Sequence, residues 1–399
     1  MKVKRFLYIL LLIVLCFPLV QTYYPLAQKL FPTFKDKELS GFENNPQAKP
    51  SLTLNEWLDG DYQTKMQRWL NDSCGFHNDF IRLRNQIFFS LYRISPNENV
   101  IVGKSNCLYS PGYIESINGY NYLGEDSIYR KTEVIKMLSD TLAKRGQRLI
   151  IMFAPGKGSF FPELVPQQYF KHAQPKTNHA TYIEACKHYN VEYIDLLSWF
   201  VAMKDTSAFP LYPLTGVHWS KYGQIMVIDS LVKYFTYGTG CNNYVKINSL
   251  NPKMKPEEDD NDIEKNLNLI FALKTNTPLA YPSFSIHIDS NFHRQKMIAV
   301  ADSYWFGIFS GLKNRLFKED ELWYYYDEIQ TSDSTAGIYP HLRRKDINYF
   351  ERLDKAEVII VLNSDCNLRY LGGDYKNQGY GIIEDLYERF FGQKQIAKH

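Results

Sequence analysis

Short apolar segments alternate with longer segments of helical periodicity along most of this chain, and this alternation restricts the possible folds more than any other feature. Arg148–Ala154 and Val358–Leu362 have the length and the nearly unbroken apolar character of buried strands. Ser127–Arg145 and Tyr222–Phe235 have the apolar spacing of helices. Strands of a parallel sheet are buried on both faces and therefore read as continuous apolar runs. The pattern predicts an α/β fold in which helices cover a parallel sheet.

Further segments continue this alternation. A helix is predicted near Thr177–Tyr189 and a strand at Val191–Asp195, and another strand is predicted to end at Ala301. Earlier in the chain, Trp57–Arg93 predicts a small helical entry segment, and the turn residues Gly103–Asn106 predict a hairpin. Ligands of open α/β sheets bind beyond the carboxyl ends of the strands, so residues that directly follow strands are the first candidates for a site.

The N-terminus predicts a membrane anchor. Three basic residues among the first five precede the apolar run Phe6–Val20. As a helix, Phe6–Tyr24 would be roughly 28 Å long, which is close to the thickness of a bilayer core. Because no Ala-x-Ala cleavage site follows, we expect an uncleaved signal anchor over residues 1–24, with a cleaved signal peptide as the alternative. Its positive end would lie in the cytoplasm, which predicts a single-pass protein of the cell inner membrane with its main domain in the periplasm or cell exterior.

The remaining chain is predicted to consist of a polar linker over residues 25–55 and one domain over residues 56–395. The sequence contains 46 basic and 43 acidic residues, giving a formal net charge of +3, so no nucleic-acid partner is expected. Three neighbouring histidines, His172, His179 and His188, have no recognisable ligand spacing with cysteines or carboxylates. We therefore expect no metal site.

Ser303 and His218 are the candidate catalytic pair. The strand ending at Ala301 delivers Asp302 and Ser303 to a turn, where a serine hydroxyl would be accessible. A free serine hydroxyl is a weak nucleophile and needs a nearby base. His218 lies in a loop ahead of a helical segment, from which its imidazole could reach that hydroxyl. The alternatives are an ordinary turn hydroxyl for Ser303 and a structural histidine for His218.

Four other residues are candidates for oxyanion or substrate contacts. Lys157 and Asn363 follow predicted strands, so they could reach the same crevice as Ser303, as a cation and an amide donor respectively. Trp219 and Tyr304 flank the candidate pair and could stack on a sugar ring. A solvated lysine, a turn-capping asparagine and core packing of the aromatic rings are the simpler alternatives.

An acidic run follows the histidine loop in sequence. Glu257, Glu258, Asp259, Asp260 and Asp262 are separated only by Asn261. Such a run is most simply a solvated loop, and the alternative is a lid over the site.

The order of several motifs resembles that of the SGNH-like proteins of the alginate O-acetyltransferase AlgX/AlgJ group, and more distantly that of DltD-type proteins. The resemblance extends from about Trp57 to Phe391. Its motifs include Ala154–Lys157, His218–Trp219 and Ala301–Ser303. It implies an SGNH-hydrolase-like sheet and an extracytoplasmic O-acetyltransferase. In that activity Ser303 carries the acetyl group and His218 acts as its base, and the acceptor is an exported or cell-surface polysaccharide.

Two other functions remain open at this point. A carbohydrate esterase would use the same serine and histidine with water as acceptor, and a non-catalytic scaffold would bind glycan for a membrane acyltransferase. The resemblance also implies a partner, because acetyl-CoA is cytoplasmic and a membrane-bound O-acyltransferase would have to pass the acyl group across the bilayer. No metal or soluble cofactor is then required.

This chain departs from the family pattern at two positions. The family places an aspartate two residues before the histidine, where this chain has Gly216. A carboxylate in that role orients the imidazole and stabilises its cation. The role could pass to a backbone carbonyl, or to a carboxylate elsewhere such as Asp302 or Asp195. The second departure is Ala301, which replaces the glycine of the Gly-Asp-Ser motif.

Overall fold

The structure is a computed structural model, and it describes residues 2–30, 37–41, 48–331, 342–373 and 381–392. The chain divides into two compact units, each built from two stretches of sequence. The first unit contains residues 1–98 and 263–273, and the second contains residues 99–262 and 274–399. Parts of the predicted linker, residues 31–36 and 42–47, lie outside the described residues, as do residues 393–395 of the predicted domain. The predicted boundaries at residues 24 and 55 stay predictions.

The helices and strands are as follows. The α-helices are α1 (Lys2–Tyr23), α2 (Leu26–Leu30), α3 (Leu54–Leu58), α4 (Asp61–Ser73), α5 (His77–Tyr92), α6 (Pro111–Ile117), α7 (Glu125–Ala143), α8 (Lys157–Phe160), α9 (Asn178–Tyr189), α10 (Leu196–Met203), α11 (Lys221–Thr236), α12 (Asp262–Asn266), α13 (Trp305–Leu312), α14 (Tyr349–Lys355) and α15 (Ile382–Phe391). The strands are β1 (Ile101–Val102), β2 (Leu108–Tyr109), β3 (Arg148–Ala154), β4 (Tyr193–Asp195), β5 (Tyr244–Ser249), β6 (Pro252–Lys253), β7 (Leu279–Ala280), β8 (Ser283–His287), β9 (Lys296–Ala301), β10 (Glu319–Tyr324), β11 (Glu328–Thr331), β12 (Leu342–Arg343) and β13 (Val358–Ser364). Short 3₁₀ helices occur at Lys104–Asn106, Pro162–Leu164, Gln167–Phe170, Arg344–Asp346 and Asp365–Tyr370.

A seven-stranded sheet forms the centre of the second unit. Its order is β12-β11-β10-β9-β13-β3-β4. The five strands from β10 to β4 in this order pair in parallel, whereas β11 and β12 pair antiparallel at one edge. The central strand β13 aligns Ile360 with Ala299 of β9 and with Ile150 of β3. The prediction of a parallel sheet covered by helices is confirmed for these five strands.

Side chains of the central strands alternate between two apolar cores, one on each face of the sheet. In β3, Ile150 and Met152 join the core formed with α10, α11 and α13. Ile151 and Phe153, on the other face, join the core formed with α7, α9 and α15. Successive side chains of a strand point to opposite faces. Burial on both faces is the reason that these strands are apolar without interruption.

The structure corrects predicted strand boundaries and adds strands that the sequence pattern did not show. The strand predicted over Val191–Asp195 begins at Tyr193. The strand predicted to end at Leu362 continues to Ser364, so Asn363 lies within β13 and does not follow it. Among the described strands of the central sheet, three were not predicted: β10, whose first three residues are all acidic, and the short β11 and β12. Their charge and brevity hide the apolar run that identified the other strands. Outside this sheet, β5, β6, β7 and β8 were not predicted either.

The histidine loop is attached to the helix that follows it. Ser220 caps the N-terminus of α11, since its hydroxyl oxygen accepts a hydrogen bond from the Gly223 amide at 3.0 Å. The same hydroxyl donates to the Pro210 carbonyl at 2.6 Å. The loop from Pro210 to Ser220 is therefore closed on itself next to α11.

In the first unit, α1 has the length and composition of a membrane-spanning helix. Val3–Tyr23 contains an 18-residue window that has a mean hydropathy of 2.3 and no buried residue. Within the described residues α1 is the one helix that meets these criteria. Gln21, near the end of the helix, is buried. The predicted helical entry segment is present as α3, α4 and α5.

Candidate active site

Ser303 lies in the middle of the three-residue turn Asp302–Tyr304, between the end of β9 and the start of α13. Its neighbour Asp302 is fully buried and forms most of the hydrogen bonds that hold this turn. One carboxylate oxygen of Asp302 accepts from the amide and the hydroxyl of Ser364, both at 2.7 Å, and from Asn367 Nδ2 at 3.0 Å. The other accepts from the Tyr304 amide at 3.1 Å. Asp302 thus fixes the serine turn to the end of β13.

The structure brings the two candidate catalytic residues together. His218 Nε2 lies 2.8 Å from Ser303 Oγ, although the residues are 85 positions apart in sequence. This distance is within the range in which a general base accepts a proton from a hydroxyl group. The ring of Tyr304 contacts the imidazole edge-on, with 4.9 Å between the ring centroids.

Tyr304 has a supporting role beneath the histidine. It is buried, and its hydroxyl donates to the Val217 carbonyl at 3.1 Å. The same hydroxyl is hydrogen-bonded to the Tyr113 hydroxyl at 2.9 Å and to the Tyr212 hydroxyl. These contacts fix the backbone next to His218. Tyr304 is therefore part of the core below the site and does not present its ring to a ligand.

Trp219 is also buried. Its ring packs against Tyr304 and Phe200, with centroid distances of 5.0 and 5.7 Å. The ring anchors the loop that carries His218 to the apolar core formed with α10 and α11. Core packing, the simpler of the two interpretations, describes its position.

Lys157 supports the histidine loop from below. Its side chain is fully buried, and Nζ donates to the carbonyl oxygens of Leu214 and Gly216, both at 2.7 Å. Burial lowers its pKa from 10.5 to about 8. The lysine is thus bound to loop carbonyls two and four residues before His218, and is neither solvated nor directed toward a ligand.

Asn363 and Asp195 have partners other than the candidate pair. Asn363 is buried within β13, and its Oδ1 accepts from the Gly372 amide at 3.1 Å. Asp195 lies 3.0 Å from His179 Nε2 and caps α10 by accepting from the Ser198 amide at 3.0 Å. Asp195 therefore orients a different histidine.

The carboxylate beside His218 comes from the acidic run. Asp262 Oδ2 lies 3.9 Å from His218 Nδ1, the ring nitrogen opposite the serine. Its Oδ1 accepts a hydrogen bond from the Val217 amide at 2.8 Å. Asp262 thus contacts both the imidazole and the backbone next to it. Reasoning from sequence assigned this run to a solvated loop or a lid, and no spacing to His218 distinguished Asp262 from its acidic neighbours.

Gly216 explains why the acidic segment can approach so closely. A Cβ atom at this position would lie 2.7 Å from the Asp259 carbonyl oxygen and 2.8 Å from the carbonyl carbon and oxygen of Asp260. The Asp260 carbonyl also accepts from the Thr215 hydroxyl at 3.0 Å. Backbone of the acidic segment therefore occupies the space into which a side chain at position 216 would project.

The electrostatics of the site favour a neutral imidazole. Burial lowers the pKa of the His218 ring below its ordinary value of 6.5, although the neighbouring carboxylates, Asp262 foremost, favour the protonated form. A neutral ring at neutral pH has a free lone pair on one nitrogen, and with the proton on Nδ1 that lone pair lies on Nε2, facing Ser303. The pair is therefore arranged for proton transfer from serine to histidine.

The described ranges contain no group of three or more histidine, cysteine or acidic side chains that could hold a metal ion. The chemistry that the site can perform with its own groups is nucleophilic attack by Ser303, with His218 as base and Asp262 beside the ring.

Comparisons with known proteins found one family model and several solved structures that are similar to this chain. Residues 100–233 match the family described as an SGNH hydrolase-like domain of the acetyltransferase AlgX. The resemblance to the AlgX/AlgJ group is confirmed, with the family match covering this segment. The segment includes His218, Gly216 and Lys157 and ends before Ser303 and Asp262. No curated protein matches the chain.

Several solved structures are similar to this chain. The O-acetyltransferase domain of Pseudomonas putida AlgJ is 15% identical, with a TM-score of 0.46, and the match covers 73% of this chain and 99% of that one. Bacillus cereus PatB1 is 12% identical, with coverage of 68% and 97% and a TM-score of 0.42. Pseudomonas aeruginosa AlgX is 13% identical, with coverage of 67% and 62% and a TM-score of 0.42.

Proposed function

We propose that this protein is an extracytoplasmic O-acetyltransferase that moves an acetyl group through an acetyl-serine at Ser303 to a hydroxyl group of an exported or cell-surface polysaccharide. The observation that carries the proposal is the 2.8 Å distance between Ser303 Oγ and His218 Nε2 beyond the end of a parallel strand. The match of residues 100–233 to an acetyltransferase family supports acetyl as the group transferred.

In the first half-reaction, Ser303 Oγ attacks the acetyl carbonyl carbon of a donor ester or thioester while its proton passes to His218 Nε2. The tetrahedral intermediate then collapses. The bond to the leaving group breaks, the leaving group takes the proton from the imidazolium ring, and acetyl-Ser303 remains. Asp262 lies beside the opposite nitrogen of the ring and stabilises its cation.

In the second half-reaction, a sugar hydroxyl attacks the acetyl-serine. His218 Nε2 accepts the hydroxyl proton and then returns it to Ser303 Oγ as the acetyl–serine bond breaks. The product is an O-acetylated sugar, and the enzyme is restored. Water in the place of the sugar would give hydrolysis, so the identity of the acceptor separates a transferase from an esterase.

The proposal includes a membrane-bound O-acyltransferase as the partner that supplies acetyl groups from the cytoplasm. It also includes anchoring through α1, whose apolar span suits a bilayer, in the inner membrane with the catalytic residues on the outer side. The two half-reactions use only groups of this chain, the donor and the acceptor. They require no metal and no soluble cofactor.

The test is acetylation of the detergent-solubilised full chain by p-nitrophenyl acetate. Wild type is expected to release p-nitrophenol in a burst and to gain one acetyl group at Ser303, as measured by peptide mass spectrometry. Ser303→Ala and His218→Ala are expected to lose this labelling. Ser310→Ala, which removes an exposed hydroxyl on α13, is the matched control and should keep it.

The acceptor is tested by adding a soluble oligosaccharide to the acetylated enzyme. Acetyl transfer to the sugar in competition with hydrolysis supports the transferase. Hydrolysis alone would establish the esterase, and labelling of wild type at the level of Ser303→Ala would leave the non-catalytic scaffold as the function.

A further inference from the structure

Helix α5 buries one side, which carries the polar residues Arg82 and Asn85 together with Phe89. Arg82 and Asn85 are both only 6% exposed and lie on the side of the helix that packs within the first unit. Arg82 donates to the carbonyls of Glu38 and Leu269, at 2.7 and 3.4 Å, and Asn85 Nδ2 donates to the Leu267 carbonyl at 3.0 Å. Hydrogen bonds to backbone therefore hold this side of the helix in place.

The opposite side of α5 is apolar and exposed. Five residues at helical spacing, each between 44% and 70% exposed, form a stripe along the helix and just past its end: Phe80, Leu83, Ile87, Leu91 and Ile94. We call this set the apolar stripe. A helix of 16 residues is about 24 Å long, so the stripe is a large contiguous surface. Contiguous apolar surface of this kind marks a contact with a membrane or a partner.

The charged residues within the stretch that carries the stripe are all positive, and Asp79 and Glu98 lie just outside this stretch. Residues 80–97 contain three arginines and no aspartate or glutamate. Arg82 is buried, whereas Arg84 and Arg93 are exposed, and the Arg84 guanidinium lies 4.8 Å from the centre of the Phe88 ring. An apolar face bordered by arginines is the pattern of a helix that lies in the interface of an anionic membrane.

The stripe begins where α5 is attached to the membrane-spanning helix α1. The rings of Phe17 and Phe76 are stacked at 5.4 Å, and the Gly75 amide donates to Thr22 Oγ1 at 2.9 Å. Phe17 is six residues before Tyr23, the last residue of α1, which places it roughly 9 Å inside the end of that helix. Interfacial helices bury their apolar face about 5–10 Å into the membrane boundary. The attachment point therefore lies near the C-terminal end of the apolar run of α1, where that helix would leave a bilayer.

We propose that the apolar stripe of α5 lies on the lipid bilayer, in the leaflet from which the C-terminal end of α1 emerges. The occupant is lipid, because the stripe begins next to the helix that suits a bilayer and carries exposed arginines that suit anionic headgroups. Two attachments, one spanning and one interfacial, then hold the first unit at the membrane surface. This inference shares the anchoring by α1 with the proposed function and is independent of the chemistry at Ser303.

The test uses the full chain reconstituted in vesicles of phosphatidylethanolamine and phosphatidylglycerol. A photoreactive p-benzoylphenylalanine is placed at Ile87 within the stripe, or at Asp140 on α7, an exposed polar position that serves as the control. Vesicles are recovered by flotation and irradiated, and peptides are analysed by mass spectrometry. Lipid adducts are expected at position 87 and not at position 140.

A second variant makes the result specific to the stripe. Leu83→Asp introduces a charge at an exposed position one turn from the probe, and lipid adducts at position 87 are expected to fall about tenfold. The circular dichroism spectrum should stay unchanged, because Leu83 contributes little to packing. Adducts only to a second copy of the chain or to another protein, equal lipid adducts at both probe positions, or protein that does not float would each overturn the proposal.

Discussion

At the scale of the residue, the site depends on where the acid of a serine–histidine pair comes from. Position 216, two residues before His218, holds a glycine. The carboxylate beside the His218 ring is instead that of Asp262, 44 positions later in the sequence. At 3.9 Å, and with a third of its side chain exposed, Asp262 acts on the imidazole mainly through charge. Its hydrogen bond to the Val217 amide fixes its position.

Asp262→Asn is expected to reduce acetylation of Ser303 by p-nitrophenyl acetate about 10- to 100-fold, less than the roughly 10⁴-fold loss when a directly bonded triad acid is removed. The charge of Asp262 favours the protonated ring, so removing it lowers the pKa of His218 further. Because the neutral ring is the active form, the acid limb of the pH–rate profile should move to lower pH. Rates of acetylation measured between pH 5 and 8 check both effects.

The matched control is Asp259→Asn. Asp259 belongs to the same acidic run, but its side chain is 75% exposed and pairs with Lys221 at 3.5 Å. The rate of Ser303 acetylation in Asp259→Asn should stay close to that of wild type. Equal losses in the two variants would show that the general negative charge of the run matters and that Asp262 has no special position.

Gly216→Asp, which introduces the aspartate that the resemblance to the AlgX/AlgJ group implies at this position, is expected to destabilise the protein and to leave the activity of Asp262→Asn unrescued. The new side chain would collide with the backbone at Asp259 and Asp260, and such overpacking costs about 1–3 kcal/mol. Urea unfolding measures this cost. Gly112→Ala is the control, because a Cβ there would meet only Cys366 Cβ at 3.8 Å. If Gly216→Asp instead restores the activity of Asp262→Asn, the backbone at Asp259 and Asp260 can move to accommodate the new side chain, and the prediction is wrong.

At the scale of the element, the site is assembled by two loops that are each fastened from beneath. Asp302 ties the serine turn to the end of β13, and Lys157 ties the histidine loop to the start of α8. Both side chains are fully buried, Asp302 accepts four hydrogen bonds and Lys157 donates two, and neither side chain faces the reacting atoms. The distance between Ser303 Oγ and His218 Nε2 therefore depends on the positions of the carboxyl ends of β9, β13 and β3 relative to one another.

Lys157→Met is expected to lower acetylation of Ser303 by about 10- to 100-fold, because the loop that presents His218 loses two hydrogen bonds and a small displacement of His218 is costly.

The same variant tests the lowered pKa of the Lys157 side chain. Its folded pKa of about 8 is below its ordinary value of 10.5, so the folded state binds fewer protons than the unfolded state between these values. Stability from this group therefore rises as pH increases from 8 to 10.

Urea unfolding of wild type and Lys157→Met at pH 7.5 and at pH 10 measures this linkage. Relative to the variant, wild type should gain free energy of unfolding at the higher pH. Lys144→Met, which removes an exposed lysine at the end of α7, should show no such gain. A difference between wild type and Lys157→Met that shrinks as pH rises would contradict the buried position of the ammonium.

At the scale of the whole molecule, the second unit is stabilised by a sheet whose central strand is buried on both faces. Every residue of β13 is buried, and its side chains enter the two cores alternately. The strand lies between β9, which leads to Ser303, and β3, which leads to Lys157. The stability of the core and the geometry of the site thus share one strand.

Ile360→Ala is expected to lower the free energy of unfolding by about 2–5 kcal/mol, because it leaves a cavity between Ala299 and Ile150 that the surrounding strands cannot close. Ile247→Ala, at a position of β5 that is 39% exposed, is expected to cost less than about 1 kcal/mol. Urea unfolding followed by circular dichroism compares the two. Similar losses would mean that the central strand is not the stabilising element.

Much of this organisation was readable from the sequence. The strands Arg148–Ala154 and Val358–Leu362 are almost wholly apolar, and the helices between the strands keep an apolar spacing, because burial acts on each residue locally. The order of motifs around His218 and Ser303 indicated which loops belong to one site. The apolar run Phe6–Val20 likewise identified the helix that can span a membrane.

The tertiary structure decided what each polar side chain contacts. Nothing local distinguishes Asp262 from the acidic residues beside it, or shows that Lys157 is buried under a loop some 60 residues later. Asp302 and Asp195 are the two carboxylates that the sequence suggested as partners of His218, and both form hydrogen bonds with other groups. The burial of one or both faces of a helix or strand determines the spacing of its apolar residues, and this spacing is visible within the sequence of that element. Hydrogen bonds and ion pairs are short-range and depend on which loops the sheet brings together, so only the folded chain determines them.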